Sequence, residues 1–178
     1  MSNVLIGIIG VILFIGLALA GALILGDDFT SSSATSKAAA ITSIMQQTAN
    51  AANMYELKTG NRIMAVNANT NGSFLVPRFL KLVPTNPHSQ IQLGFVDSGG
   101  GGNTGLKAEY VYSNIGSDDV AKRICRAIEE GAGAANSDEA LNPANITSWA
   151  NWVAAHKRVG CILNVAWTPA VYQTYIPV

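Results

Sequence analysis

Few residues of this 178-residue chain could do chemistry, and most of them stand alone. Cys125 and Cys161 are its two cysteines. An even pair, in a chain whose bulk would lie outside the cytoplasm, favours a disulfide; two free buried thiols are the alternative. His88 and His156 lie far apart in sequence with no Cys or acid at ligand spacing, so no metal site is expected and solvated histidines are the simpler account. The glycine run at residues 99–102 has the composition of a phosphate cradle. It lacks the Lys-Ser or Lys-Thr and the opening helix that a cradle needs. Asp118-Asp119 reads as a helix cap, and Glu129-Glu130 as a solvated face rather than acid-base machinery. No nucleophile elbow, catalytic carboxylate pair or dinucleotide fingerprint is present, so no catalytic residue, cofactor or metal ligand is assigned and an enzyme is not expected. Two sequons, Asn71-Gly72-Ser73 and Asn145-Ile146-Thr147, make Asn71 and Asn145 candidates for glycosylation. Trp149 and Trp152, on one short helix, are candidates for a sugar- or receptor-contacting patch, with core packing as the competing account.

The elements that must carry these residues begin with an apolar one. Residues 1–25 contain no charge and consist almost wholly of Val, Leu, Ile, Gly, Ala and Phe. A helix of that length, at about 1.5 Å per residue, is long enough for the roughly 30 Å hydrocarbon core of a bilayer. Asp27 and Asp28 end it sharply, because a carboxylate near the bilayer centre costs about 2.5 to 3.5 kcal/mol on insertion scales. The Met-Ser-Asn start lacks the basic region of a signal peptide. No base precedes Lys37, and the acids after the run point that end outward.

The remainder is sized for one domain. Lys plus Arg and Asp plus Glu both number 11, so the formal net charge is zero, and no overall basic field exists to hold nucleic acid. Charged residues make up 12%, against about 25% in a typical soluble domain, and small polar residues fill the difference. Such a surface suits a subunit that packs against copies of itself.

Ile41, Ile44, Met45, Thr48, Ala52 and Tyr55 recur at three- and four-residue spacing opposite Gln46, Gln47, Asn50 and Asn53, which predicts an amphipathic helix continuing from the anchor. Gly60 and Asn61 are its natural stop. The run of Thr and Ser before it, with Gly16, Gly21 and Gly26 upstream, predicts a hinge or break between Gly16 and Ser36 in the assembled filament. Residues 62–89 read as loop, a short helix around Phe79, Leu80 and Leu82, then loop. Residues 91–96 and 106–113 read as a hairpin across the glycine run, with Leu106, Ala108, Tyr110 and Tyr112 on one face. A helix capped by Ser117-Asp118-Asp119 runs to Glu130 and Gly131, a short helix starts at Asn145 or Thr147, and residues 160–165 and 167–176 read as two last strands. The fold class is therefore α+β: a long N-terminal helix with an apolar first half, packed on an antiparallel sheet, with a disulfide-closed C-terminal region.

This order resembles that of a type IV pilin, closest to the type IVb branch. The matching pieces are the helix from Ala38-Ala39-Ala40-Ile41 to Tyr55, the Leu82-Val83-Pro84-Thr85-Asn86-Pro87 loop, Arg123-Ile124-Cys125-Arg126-Ala127-Ile128 and Gly160-Cys161. The resemblance implies an apolar filament-core helix at residues 1–26, a hinge and amphipathic helix at 27–60, and a pilin domain at 61–178. It also implies a homo-oligomeric helical filament, an inner-membrane stage before assembly, a pilus assembly machinery as partner, and a final place in an extracellular bacterial pilus. There the exposed domain would serve adhesion, motility, aggregation, or contact with DNA or phage; no specific nucleic acid is expected. Where the family carries a glutamate near the mature N-terminus, Leu5 and its neighbours offer no acid. Core contacts are then expected to be close packing at Leu5, Gly7, Gly10, Gly16, Ala20 and Gly21, with any charge pairing moved to Asp27, Asp28 or Lys37. The alternative function is a monomeric single-span membrane protein whose outer domain binds a ligand.

Overall fold

The computed structural model describes residues 2–65, 72–97, 107–142, 149–166 and 168–178, without the side chains of 2–6, 22–29, 150 and 154. Its element order is helix α1 (Ser2–Thr59), a 3-10 turn (Ser73–Leu75), strands β1 (Gly94–Val96) and β2 (Tyr110–Gly116), helices α2 (Asp119–Gly131) and α3 (Trp149–Ala155), and strands β3 (Gly160–Asn164) and β4 (Val171–Pro177). The chain forms two compact units, Met1–Ala34 and Thr35–Val178.

α1 is continuous from Ser2 to Thr59 in the single subunit, while the break expected between Gly16 and Ser36 concerns the assembled filament. A glycine costs about 1 kcal/mol in a helix. Opening the ladder in mid-helix also requires a second, unfavourable nucleation, and the ladder here persists through Asp27-Asp28 and the Thr30 to Ser33 run. The stop is where the sequence places it. Gly60 takes φ +70°, the left-handed conformation that ends a helix, and its N–H donates to the Glu56 carbonyl at 2.9 Å.

The second unit is built on a four-stranded antiparallel sheet of order β1-β2-β4-β3. One face carries Phe95, Val111, Thr174 and Cys161; it receives α1, where Thr174 Oγ1 donates to Met45 Sδ, and α2, where Cys161 is bonded to Cys125. The opposite face carries Tyr112, Tyr175 and Ile162 and receives α3, with Trp152 and Val153 in the cluster. Both faces are therefore covered. This is why Val111 and Ser113, which simple alternation assigns to a polar face, are buried.

A row across the sheet explains two of its glycines. Gly94 pairs with Tyr112, Tyr112 with Tyr175, and Tyr175 with Gly160. A Cβ on Gly94 would lie 2.6 Å from the Tyr112 ring, and one on Gly160 2.5 Å from the Tyr175 hydroxyl. Each edge-strand glycine is a seat for the aromatic ring beside it.

α2 forms where the sequence predicts it. Asp118 accepts from the Ala121 N–H at 2.7 Å as N-cap, and Ala121, Ile124, Cys125, Ile128 and Glu129 make one buried stripe. The hairpin is present as β1 and β2, with its glycine run outside the described residues. The short helix expected around Phe79 to Leu82 is instead the 3-10 turn at Ser73–Leu75, and Leu82 is exposed. Here Leu75 is the fully buried residue, and Phe74 and Phe79 pack edge-on against Tyr55 of α1, at 5.3 and 5.7 Å between ring centres.

Candidate functional site

The strongest candidate is a surface rather than a pocket. On α1, residues 7–20 are exposed throughout, and they include Ile8, Ile9, Val11, Ile12, Leu13, Phe14, Ile15, Leu17 and Leu19. Phe14 is 75% exposed and Leu17 79%. A helix apolar on all sides is one meant to be surrounded by lipid or by other helices. Among the described residues no helix is long and apolar enough to cross a membrane. The part of the run with described side chains, residues 7–21, spans about 22 Å at 1.5 Å per residue, short of the roughly 30 Å hydrocarbon core. Leu5 and residues 22–25, which would complete a span, lie outside that part.

Gly7, Gly10, Gly16 and Gly21 are the proposed packing positions on this helix, together with Ala20. A Cβ added at any of these four glycines meets nothing within 4 Å. The helix therefore has no internal need for them. Their absent side chains leave room that only a molecule outside this subunit could use.

In the second unit, Cys125 and Cys161 form the expected disulfide, with Cα atoms 5.3 Å apart across a separation of 36 residues. It joins α2 to β3 beside a polar anchor that the sequence reading misses. Glu129, taken from sequence as part of a solvated face, is 1% exposed. Its Oε1 accepts from the Cys161 N–H at 2.6 Å, and its Oε2 from Arg158 Nη2 at 2.6 Å. A buried carboxylate needs such partners. The signal was available, since Glu129 continues the stripe of Ala121, Ile124, Cys125 and Ile128 by one residue; Glu130 is the exposed member of the pair.

The tryptophans do not form a surface patch. Trp152 is buried in the α3 cluster, where its Nε1–H donates to the Tyr175 hydroxyl at 3.1 Å, and Trp149 packs edge-on against Tyr110 and Tyr175. All four strands offer this helix an aromatic or aliphatic side chain, and the indoles pack among them. Burial pushes the Tyr175 phenol far above its ordinary pKa, helped by the negative charge of Glu129 and opposed by the Trp152 hydrogen bond and Arg158. The histidines are also less solvated than expected. His156 stacks on Trp152 with ring centres 4.2 Å apart, and His88, with 17% of its side chain exposed, lies 3.7 Å from the capping Asp118.

An open groove of about 390 Å³ between α1 and α2 is lined by small side chains such as Ala38, Thr42, Ser43, Ala127 and Ala132, and by no titratable one. Among the described residues no group of three His, Cys, Asp or Glu is placed to hold a metal. Asn71 and Asn145 lie outside the described residues.

No family model, curated protein or solved structure matches the chain. Its function has to be argued from its own residues.

Proposed function

We propose that this chain is the structural subunit of an extracellular, type IV-like pilus, polymerising through its apolar N-terminal helix and exposing its disulfide-closed domain. The observation that carries the proposal is the helix surface at residues 7–20, apolar and exposed on every side, with glycines whose missing side chains serve no contact inside the subunit. Lipid tails give apolar helices no hydrophobic reason to associate, so association depends on close approach of backbones, and small residues permit it. Gly7, Gly10, Gly16, Ala20 and Gly21 are spread through the segment as that requires. Repeating one contact between different faces of successive copies builds an open helical assembly. The covered faces of the sheet and the disulfide support a domain that stays folded outside the cell.

Before assembly the subunit would reside in a bacterial inner membrane, handled by a pilus assembly machinery. Electron microscopy of material sheared from the cell surface, with this chain identified in it by mass spectrometry, tests the proposal. Filaments containing the chain are expected. Recovery of the chain only as detergent-extracted monomer would instead indicate a single-span anchored protein.

A further inference from the structure

The groove between α1 and α2 is a second charge-free surface of this chain. Its α1 wall runs from Thr35 to Gln46, with Ala38 and Thr42, and Ala39 and Ser43, each one turn apart; its α2 wall includes Ala127 and Gly131, again one turn apart. Gly131 carries the same signature as the glycines of the apolar helix. A Cβ there meets nothing within 4 Å, and its φ is not left-handed; the left-handed residue that follows α2 is Gly133, at φ +79°. The subunit has no internal need for a glycine at 131, and the missing side chain widens the groove. Ala39 and Gly131 are both exposed, so the second unit does not cover these walls itself.

We propose that this groove holds residues 7–20 of the apolar helix of a second copy of this chain. The inference rests on the polymerisation proposed above and names the surface that accepts the helix. Charge is one reason for this occupant. The groove is lined by no titratable group and residues 7–20 contain none, so a charged partner would lose water without finding a counter-charge, while this helix has no charge to lose. Size is another. The α1 wall is about 17 Å long, and a helix about 10 Å across fills about 1,300 Å³ over that length, so a groove of about 390 Å³ takes about a third of it, one face of one helix. Connectivity is the third. Residues 7–20 and 35–46 belong to one continuous helix, and a helix cannot lay one of its turns into a groove lined by another, so the occupant comes from a different molecule. A surface that fits a groove elsewhere on the same kind of molecule makes a heterologous contact, which builds an open filament unless the rotation closes it into a ring. The small walls let the incoming backbone approach closely at Gly10 and Gly16.

Filaments assembled from a mixture of heavy- and light-nitrogen full-length chains test the inference, with photo-reactive p-benzoylphenylalanine in place of Gln46 at one end of the groove or of Thr35 at the other. After irradiation, mass spectrometry should join the labelled position of one isotopic form to residues 7–20, within the tryptic peptide 1–37, of the other. Ala39→Leu and Gly131→Leu add bulk to the two walls at exposed positions. Each should lower filament yield about tenfold or more at unchanged membrane level and melting temperature, since overpacking a close contact changes an association constant by at least that factor. The two variants serve independently should one fail to fold. Joins confined to one isotopic form, to lipid or to another segment of the chain, or normal filaments from a folded groove variant, would overturn the groove's role and leave polymerisation standing. Absence of filaments from the unmodified chain would overturn both.

Discussion

Gly160 shows how narrowly single residues are specified in this fold. A Cβ there would stand 2.5 Å from the Tyr175 hydroxyl and 2.7 Å from Glu129 Oε1, both of them held by other partners. Gly160→Ala should therefore destabilise the second unit by about 1 to 3 kcal/mol, the usual cost of overpacking, as read by chemical denaturation. Adding Tyr175→Phe should recover part of that loss by removing the closer oxygen. The same hydroxyl sets a pH dependence. Burial raises the pKa of Tyr175, and also those of Tyr112, Tyr110 and Tyr172, above the ordinary value of 10.0. The folded state then holds protons that the unfolded state releases, so stability is fully present below about pH 10 and is lost as pH rises beyond it. Melting temperature should fall above pH 10, and less steeply in Tyr175→Phe. Cys161→Ser should cost about 3 to 4 kcal/mol, the chain-entropy value for a loop of this size. In the native protein neither cysteine should react with a thiol reagent. The cysteine pair was legible from the even count of cysteines. For Glu129 only the stripe position was legible; its partner, an arginine 29 residues away, was not.

At the scale of elements, periodicity was a good guide where one face is buried and a poor one elsewhere. α2 has a cap, a stripe and nothing ambiguous, and it lies where those signals place it. Asp118→Ala should remove the hydrogen bond to the Ala121 N–H and cost about 0.5 to 2 kcal/mol, measured by thermal or chemical unfolding. β2 was harder to read, since a strand covered on both faces has no polar side for alternation to reveal. The turn at Ser73–Leu75 was misplaced because Leu82 is as apolar as Leu75. Only the contacts of Tyr55 with Phe74 and Phe79 decide which of the two is buried. The break predicted in α1 for the assembled filament has no counterpart in the single subunit. Residue propensities count costs one at a time, while the hydrogen-bond ladder is cooperative and tolerates a run of poor formers.

For the whole molecule, the structure draws one division, between Met1–Ala34 and Thr35–Val178, where the sequence suggests boundaries after residues 26 and 60. The apolar run ends before two aspartates, and the second compact unit begins at Thr35. What the second unit spends its polar and aromatic residues on is internal. Trp152 holds Tyr175, Glu129 holds the backbone of Cys161, and Asn164, Gln173 and Asn114 bond one another in a chain of amides. The exposed apolar helix surface has no such internal use, and assembly is the use proposed for it. The measurement that tests this most directly is the filament yield of Gly10→Leu and Gly16→Leu subunits, compared by electron microscopy with the amount of each inserted in the membrane. A side chain at either position meets nothing within the subunit, and leucine favours the helix over glycine by about 1 kcal/mol, so folding and insertion should persist. Bulk at a helix contact would hold neighbours apart, so filaments should fall sharply while membrane-inserted subunit remains. Normal filaments from both variants would contradict the assembly role given to this helix.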